Sequence, residues 1–130
     1  MFTDKVEKVA DLSKMPTEFQ DLLRRVLTIQ ADAEIGGPHL YVQEWLLHAP
    51  TPYDMWRLTR IAAEEMDHYR AFARLLRDME VDVTYLAYIP KSQRMIEVFR
   101  GDMPTWSDVA AFSFFIDRVG LYMLEEFNDS

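Results

Sequence analysis

The sequence predicts an all-α fold of three long helices packed as a bundle. Three observations carry that reading. Prolines and proline-led caps divide the chain into blocks of helical periodicity. No strand pair, hairpin dipeptide or repeat occurs; the β-prone run Val81 to Tyr88 is isolated. Hydrophobic residues make up 49% of the chain and Gly numbers only four, which argues against disorder. A length of 130 residues fits one domain, with a polar, loosely packed lead-in over residues 1–15 and a helical domain over 16–130.

The first helix should begin near Pro16-Thr17, where a missing N–H is not needed, and run to about Gly36. Gly36-Gly37-Pro38 then interrupts the pattern, and Leu40 to His48 continues as helix after a kink. Thr51-Pro52-Tyr53-Asp54 has the form of an N-terminal cap, with an acid three residues after the threonine. The second helix follows, to about Met79. Val81 to Pro104 reads as a long connection with a short helix at Ser92 to Phe99. Thr105-Trp106-Ser107-Asp108 repeats the cap, and the third helix runs to about Phe127.

Composition excludes several functions. The chain has no Cys, so disulfides, thiolate zinc sites and thiol catalysis are out, and a reducing cytoplasm fits. The first residues lack the apolar core of a signal peptide, and the longest apolar stretch, Val109 to Ile116, is about half a membrane span. A net charge of −8 without a basic run opposes nucleic-acid binding. The expectation is a cytoplasmic protein with neither nucleic acid nor membrane as partner.

Position matters more than composition. In helix 2, Leu58, Ile61, Glu65, His68, Phe72, Leu75 and Met79 alternate three- and four-residue steps and form one seam. Arg57, Arg60, Glu64, Asp67 and Arg74 fall on a solvated side. In helix 1, Leu23, Leu27, Gln30, Glu34, Gly37 and Tyr41 form a seam. In helix 3 it is Ala110, Phe114, Asp117, Leu121 and Leu124. Each seam holds an acid at its middle. Burying an unpaired carboxylate costs several kcal/mol, about the stability of a small domain for three of them. No Lys or Arg lies on these seams, so a bound cation is the economical answer. Glu65-x-x-His68 places a carboxylate and an imidazole on adjacent turns of one face. Oxygen and imidazole ligands suit iron or manganese, and zinc less exclusively. Pro38 has no N–H for the Glu34 carbonyl, which frees the backbone beside a candidate ligand.

Plainer readings compete. Gly-Gly-Pro can simply end a helix. Asp117 can pair with Arg118 or lie on the surface, and Glu34 can be a solvated acid beside the kink. Glu44 and His48 form an i, i+4 pair that could chelate, but His48 precedes Ala-Pro and suits a cap. Glu125 or Glu126 could replace Asp117. Gln30, His39 and Tyr41 are candidates to support the ligands. Met55, Met66, Met79, Phe112, Phe114, Phe115 and Tyr122 read as core, and Trp45, Trp56 and Trp106 as core edges or interface anchors.

Taken in order, Ala33-Glu34-Ile35-Gly36-Gly37-Pro38, Trp45, His48-Ala49-Pro50, Glu64-Glu65-Met66-Asp67-His68, Trp106-Ser107-Asp108-Val109 and Ile116-Asp117 resemble a known family. It is that of the catalytic A-type subunit of phenylacetyl-CoA epoxidase and the related phenylacetic acid catabolic proteins of the ferritin-like superfamily. The resemblance spans roughly residues 15–130. It implies a ferritin-like bundle with a carboxylate-bridged di-iron centre that activates dioxygen, a monooxygenase that epoxidises the aromatic ring of an acyl-CoA with electrons from a reductase. Glu34 would match the first-helix ligand, Glu65 and His68 the first Glu-x-x-His, and Asp117 the third-helix carboxylate. Such a site takes a second Glu-x-x-His from a fourth helix, which this chain lacks. The chain therefore reads as an N-terminal portion, a split or truncated product, or a degenerate relative, which binds one metal poorly, pairs with a second copy to complete a bundle, or binds none. Two alternatives stand beside the oxygenase: a scaffold that docks a catalytic partner around a vestigial site, and a ferritin-like iron-handling protein.

Overall fold

The computed structural model describes residues 8–94, 103 and 105–115. Among these the chain is helical, with no strand. A 3₁₀ turn (Val9–Lys14) leads into α1 (Thr17–Pro38), which continues as a π-helical segment (His39–Trp45) and a 3₁₀ turn (Leu46–His48). After α2 (Pro52–Asp78) come 3₁₀ turns at Thr84–Ala87 and Lys91–Gln93, and α3 covers residues 106–115. The continuation of the third helix to Phe127 and most of the short helix at Ser92 to Phe99 lie outside the described residues.

Both expected caps form. Thr51 Oγ1 accepts the Asp54 N–H at 3.2 Å and donates to the Asp54 carboxylate at 2.6 Å, satisfying a donor that the first helical turn leaves orphaned. At α3, Thr105 Oγ1 accepts the Asp108 N–H at 3.2 Å, and the Asp108 carboxylate accepts the Thr105 N–H at 3.0 Å. The α2 C-terminus closes with Val81 N–H on the Leu76 carbonyl at 2.8 Å and Glu80 N–H on that of Arg77 at 2.9 Å. This Schellman pair needs a left-handed residue, and Glu80 takes it with φ 64°.

Gly36-Gly37-Pro38 does not end α1. The helix carries Pro38 within it and widens into the π segment that starts at His39. A wider turn passes the missing Pro38 donor without leaving the helical axis, and such segments are frequent at functional sites. The described part of the lead-in, residues 8–15, is better packed than its polarity suggests, since Leu12 and Met15 are buried.

α1 and α2 form an antiparallel pair: Arg24 donates to the Met79 carbonyl, Glu34 meets His68, and Gly37 meets Glu65. Two apolar clusters hold the pair together. Ala31, Ile35, Tyr69, Leu76, Val83 and Leu86 form one. Leu40, Tyr41, Trp45, Leu58, Ala62 and Val109 form the other. Edge-on rings extend the second, Trp45 standing 5.3 Å from Tyr41 and 5.8 Å from Phe112.

The expected seams hold in part: Leu58 and Met79 on α2 and Gly37 and Tyr41 on α1 are buried, but other positions turn by one residue. On α2 the buried line is Leu58, Ala62, Tyr69, Leu76 and Met79, while Leu75 and His68 are exposed. A three-four pattern from Leu58 fits either line. Small Ala62 permits close helix approach, and Tyr69 reaches the Val83 carbonyl at 3.0 Å, which decides between them. On α1 the centre is Ala31 and Ile35 rather than Gln30 and Glu34, and on α3 it is Val109 rather than Ala110 and Phe114. Met66, Phe114 and Phe115, expected in the core, are exposed.

Candidate metal centre

Between the two apolar clusters lies a polar layer. On α2, Glu65 stands between Ala62 of one cluster and Tyr69 of the other; on α1, Gly37 stands between Ile35 and Leu40, with Glu34 just before Ile35. The Glu-x-x-His spacing puts Glu65 and His68 one turn apart on α2, and the antiparallel pairing brings Glu34 opposite them. His68 Nδ1 is 3.1 Å from Glu34 Oε2 and 3.9 Å from Glu65 Oε2. One ligand atom from each of the three lies within 4.8 Å of the others.

Those separations suit one ion. Two ligand atoms about 2.1 Å from a metal, at right angles, are about 3.0 Å apart. Glu34 and His68 already stand at that separation, and Glu65, 3.9 Å from His68, would move closer to share the ion. Two carboxylates and an imidazole form a hard-to-intermediate donor set that accepts iron, manganese or zinc.

Gly37 makes room for the layer. A Cβ on it would sit 2.9 Å from Glu65 Cγ and 3.1 Å from Glu65 Cβ. Only a residue without a side chain lets α1 approach α2 this closely beside the Glu65 carboxylate.

Burial does not force a cation here, contrary to the expectation from the sequence. Side-chain exposure is 19% for Glu34, 25% for Glu65 and 60% for His68, so the cluster opens to solvent at the edge of the helix pair. The acid that is sealed off is Asp32, 1% exposed, and a protein cation neutralises it: Arg94 Nη1 donates to Asp32 Oδ1 at 3.0 Å. Arg94 Nη2 also donates to the Leu86 carbonyl at 3.0 Å. What marks Glu34, Glu65 and His68 is convergence rather than desolvation.

The other candidates fall elsewhere. Asp117, Glu125 and Glu126 lie outside the described residues. Glu44 is bound by Lys91 at 2.7 Å, and His48 is exposed at the end of a 3₁₀ turn. His39 faces a cleft shared with Glu44, Lys91 and Arg94 instead of the cluster. Gln30 is half-buried one turn before Glu34, and Tyr41 is buried against Trp45. The Gly37 contact and the Asp32–Arg94 pair escape sequence reasoning. Gly37 was legible only as a seam position, and Arg94 sits 62 residues from its partner with no periodicity linking them.

Comparison with protein-family profiles, with characterised proteins and with solved structures finds no match. No helix among the described residues is long and apolar enough to cross a membrane.

Proposed function

We propose that this chain binds a transition-metal ion, iron or manganese, through Glu34, Glu65 and His68, as the metal-holding part of a ferritin-like oxygenase. The observation that carries this is the meeting of three ligand atoms from two helices within 4.8 Å. Di-iron bundles use one Glu from each of two helices and a Glu-x-x-His from each of the other two. The α1–α2 pair supplies one of each. A second such pair, from another copy or another segment, would complete the set and cover the open side, so a homo-oligomer or a docking subunit belongs to this reading.

The resemblance of the motifs to phenylacetyl-CoA epoxidase extends the reading to an aromatic acyl-CoA substrate and a reductase partner. A di-iron group, when bound, supplies dioxygen activation. The residues of this chain have simpler tasks. Glu34 and Glu65 give anionic oxygen donors from opposite helices. His68 contributes Nδ1, the ring atom that stands 3.1 Å from Glu34 Oε2. Gly37 keeps Glu65 against α1.

A second reading is iron handling, supported by the 60% exposure of His68, which leaves a path for ion exchange with water. Iron loading separates the two. The oxygenase reading expects one or two irons per chain, whereas storage expects many.

The test is metal analysis after purification without chelators, followed by aerobic iron loading. Bound iron or manganese near stoichiometry is expected, with at least tenfold weaker binding in Glu65→Ala and His68→Ala and unchanged helix content by circular dichroism. Absence of metal and of any ultraviolet-visible band after loading would refute the proposal.

A further inference from the structure

The C-terminal half of α2 carries Arg70, Arg74 and Arg77 at i, i+4 and i+7, a spacing that places them on one helix face. They line one wall of a cleft of about 510 Å³, and the returning segment from Glu80 to Thr84 lines the other. That volume is within the range of small-molecule sites. The left-handed Glu80, φ 64°, turns the chain back along the helix and creates the wall.

Most polar groups in the cleft are already committed. Tyr69 donates its hydroxyl to the Val83 carbonyl at 3.0 Å, closing the floor beside Ala73 and Val81. Asp82 accepts the Thr84 N–H at 2.9 Å and its hydroxyl at 2.6 Å. Arg70 is held by Asp67 at 3.1 Å. Arg74, exposed, has no hydrogen bond or ion pair with another described residue. Three guanidinium groups face two carboxylates in this lining, on a chain whose net charge is −8. Helix-dipole complementarity alone would place cations here, but it does not call for a walled cleft with an apolar floor.

We propose that this cleft binds the phosphate group of a small organic phosphate, gripped by Arg74 and Arg77 with Arg70 at its flank. A guanidinium fork binds two oxygens of an anion at once. One fork saturates a carboxylate. Two forks a helical turn apart suit a tetrahedral dianion, which offers oxygens to both. The apolar floor of Ala73 and Val81 takes the organic part. The absence of a basic run beyond the cleft disfavours a nucleic-acid strand.

Isothermal titration at low salt with phenyl phosphate, and with benzoate as the carboxylate control, tests this. Saturable one-site binding of phenyl phosphate is expected, at least tenfold tighter than benzoate. Arg74→Ala/Arg77→Ala should weaken it at least tenfold, while Arg57→Ala, at the far end of α2, leaves it unchanged. Equal binding of benzoate, undiminished binding in the double variant, or no saturable binding overturns the site. Should the alanine pair fail to fold by circular dichroism, Arg74→Lys/Arg77→Lys decides. It keeps the charge and removes the forks, so severalfold weaker binding supports the site and full affinity refutes it.

Discussion

Replacing Gly37 with alanine puts a methyl group where Glu65 already is. The new carbon would lie 2.9 Å from Glu65 Cγ and 3.1 Å from Glu65 Cβ. Carbon atoms in contact prefer about 3.5–4.0 Å, so one side must yield by about 0.5–1 Å. Rotating Glu65 can relieve the Cγ contact but not the Cβ contact, which moves only with the α2 backbone. Overpacking of this kind costs about 1–3 kcal/mol, and Gly→Ala inside a helix returns about 1 kcal/mol. The expected net change is a loss of about 0–2 kcal/mol. Metal ligands tolerate displacements of only about 0.2 Å, so manganese or iron affinity should fall at least tenfold. Urea unfolding without metal measures the first effect, and competition titration the second. In a double-mutant cycle with Glu65→Ala, coupling of at least about 1 kcal/mol is expected for residues in direct contact. A Gly37→Ala protein stabilised by the full helix-propensity gain, with metal affinity intact, would refute the close approach of α1 to Glu65.

The sealed ion pair should be costly to break and cheap to replace. Asp32→Ala alone is expected to lose about 3–5 kcal/mol by leaving the Arg94 charge buried, whereas Asp32→Leu/Arg94→Met should lie within about 2 kcal/mol of wild type or above it, both read by urea unfolding. Glu80→Gly should raise stability by about 1 kcal/mol, because glycine takes the left-handed cap without strain; a lower urea midpoint would contradict this. Burial, with the Asp82 charge and Tyr88 nearby, pushes the Tyr69 phenol above its ordinary value of 10.0. Its contribution is therefore present below pH 10 and lost as pH rises through the raised value. Tyr69→Phe should cost about 1–3 kcal/mol at pH 7 through the orphaned Val83 carbonyl and flatten the stability loss above pH 10 seen in thermal melts.

The local features were legible because local rules produce them. Thr51 and Thr105 declare their caps by the hydroxyl and the acid three residues on, and Pro52 marks the first turn of α2. Glu65 and His68 were legible because an i, i+3 spacing is a statement about a single helix. Asp32 was not legible as the sealed acid, since Arg94 arrives from a loop that no periodicity points to. The seams were legible to within one residue. A 3.6-residue turn leaves two adjacent faces almost equally apolar, and the difference between Ile61–His68 and Ala62–Tyr69 is one of size and of reach.

Local pattern alone points to helices, marks where two of them start, puts a carboxylate and an imidazole on one face and singles out Glu34 as their partner. These follow from dihedral preferences and from spacings of a few residues. The packing of the two helices settles the rest: Glu34 comes within 3.1 Å of His68, Gly37 lies against Glu65, and the group sits at a wet edge while Asp32 takes the dry interior. Those are distances between residues remote in the chain, set by which side chains let two helices approach.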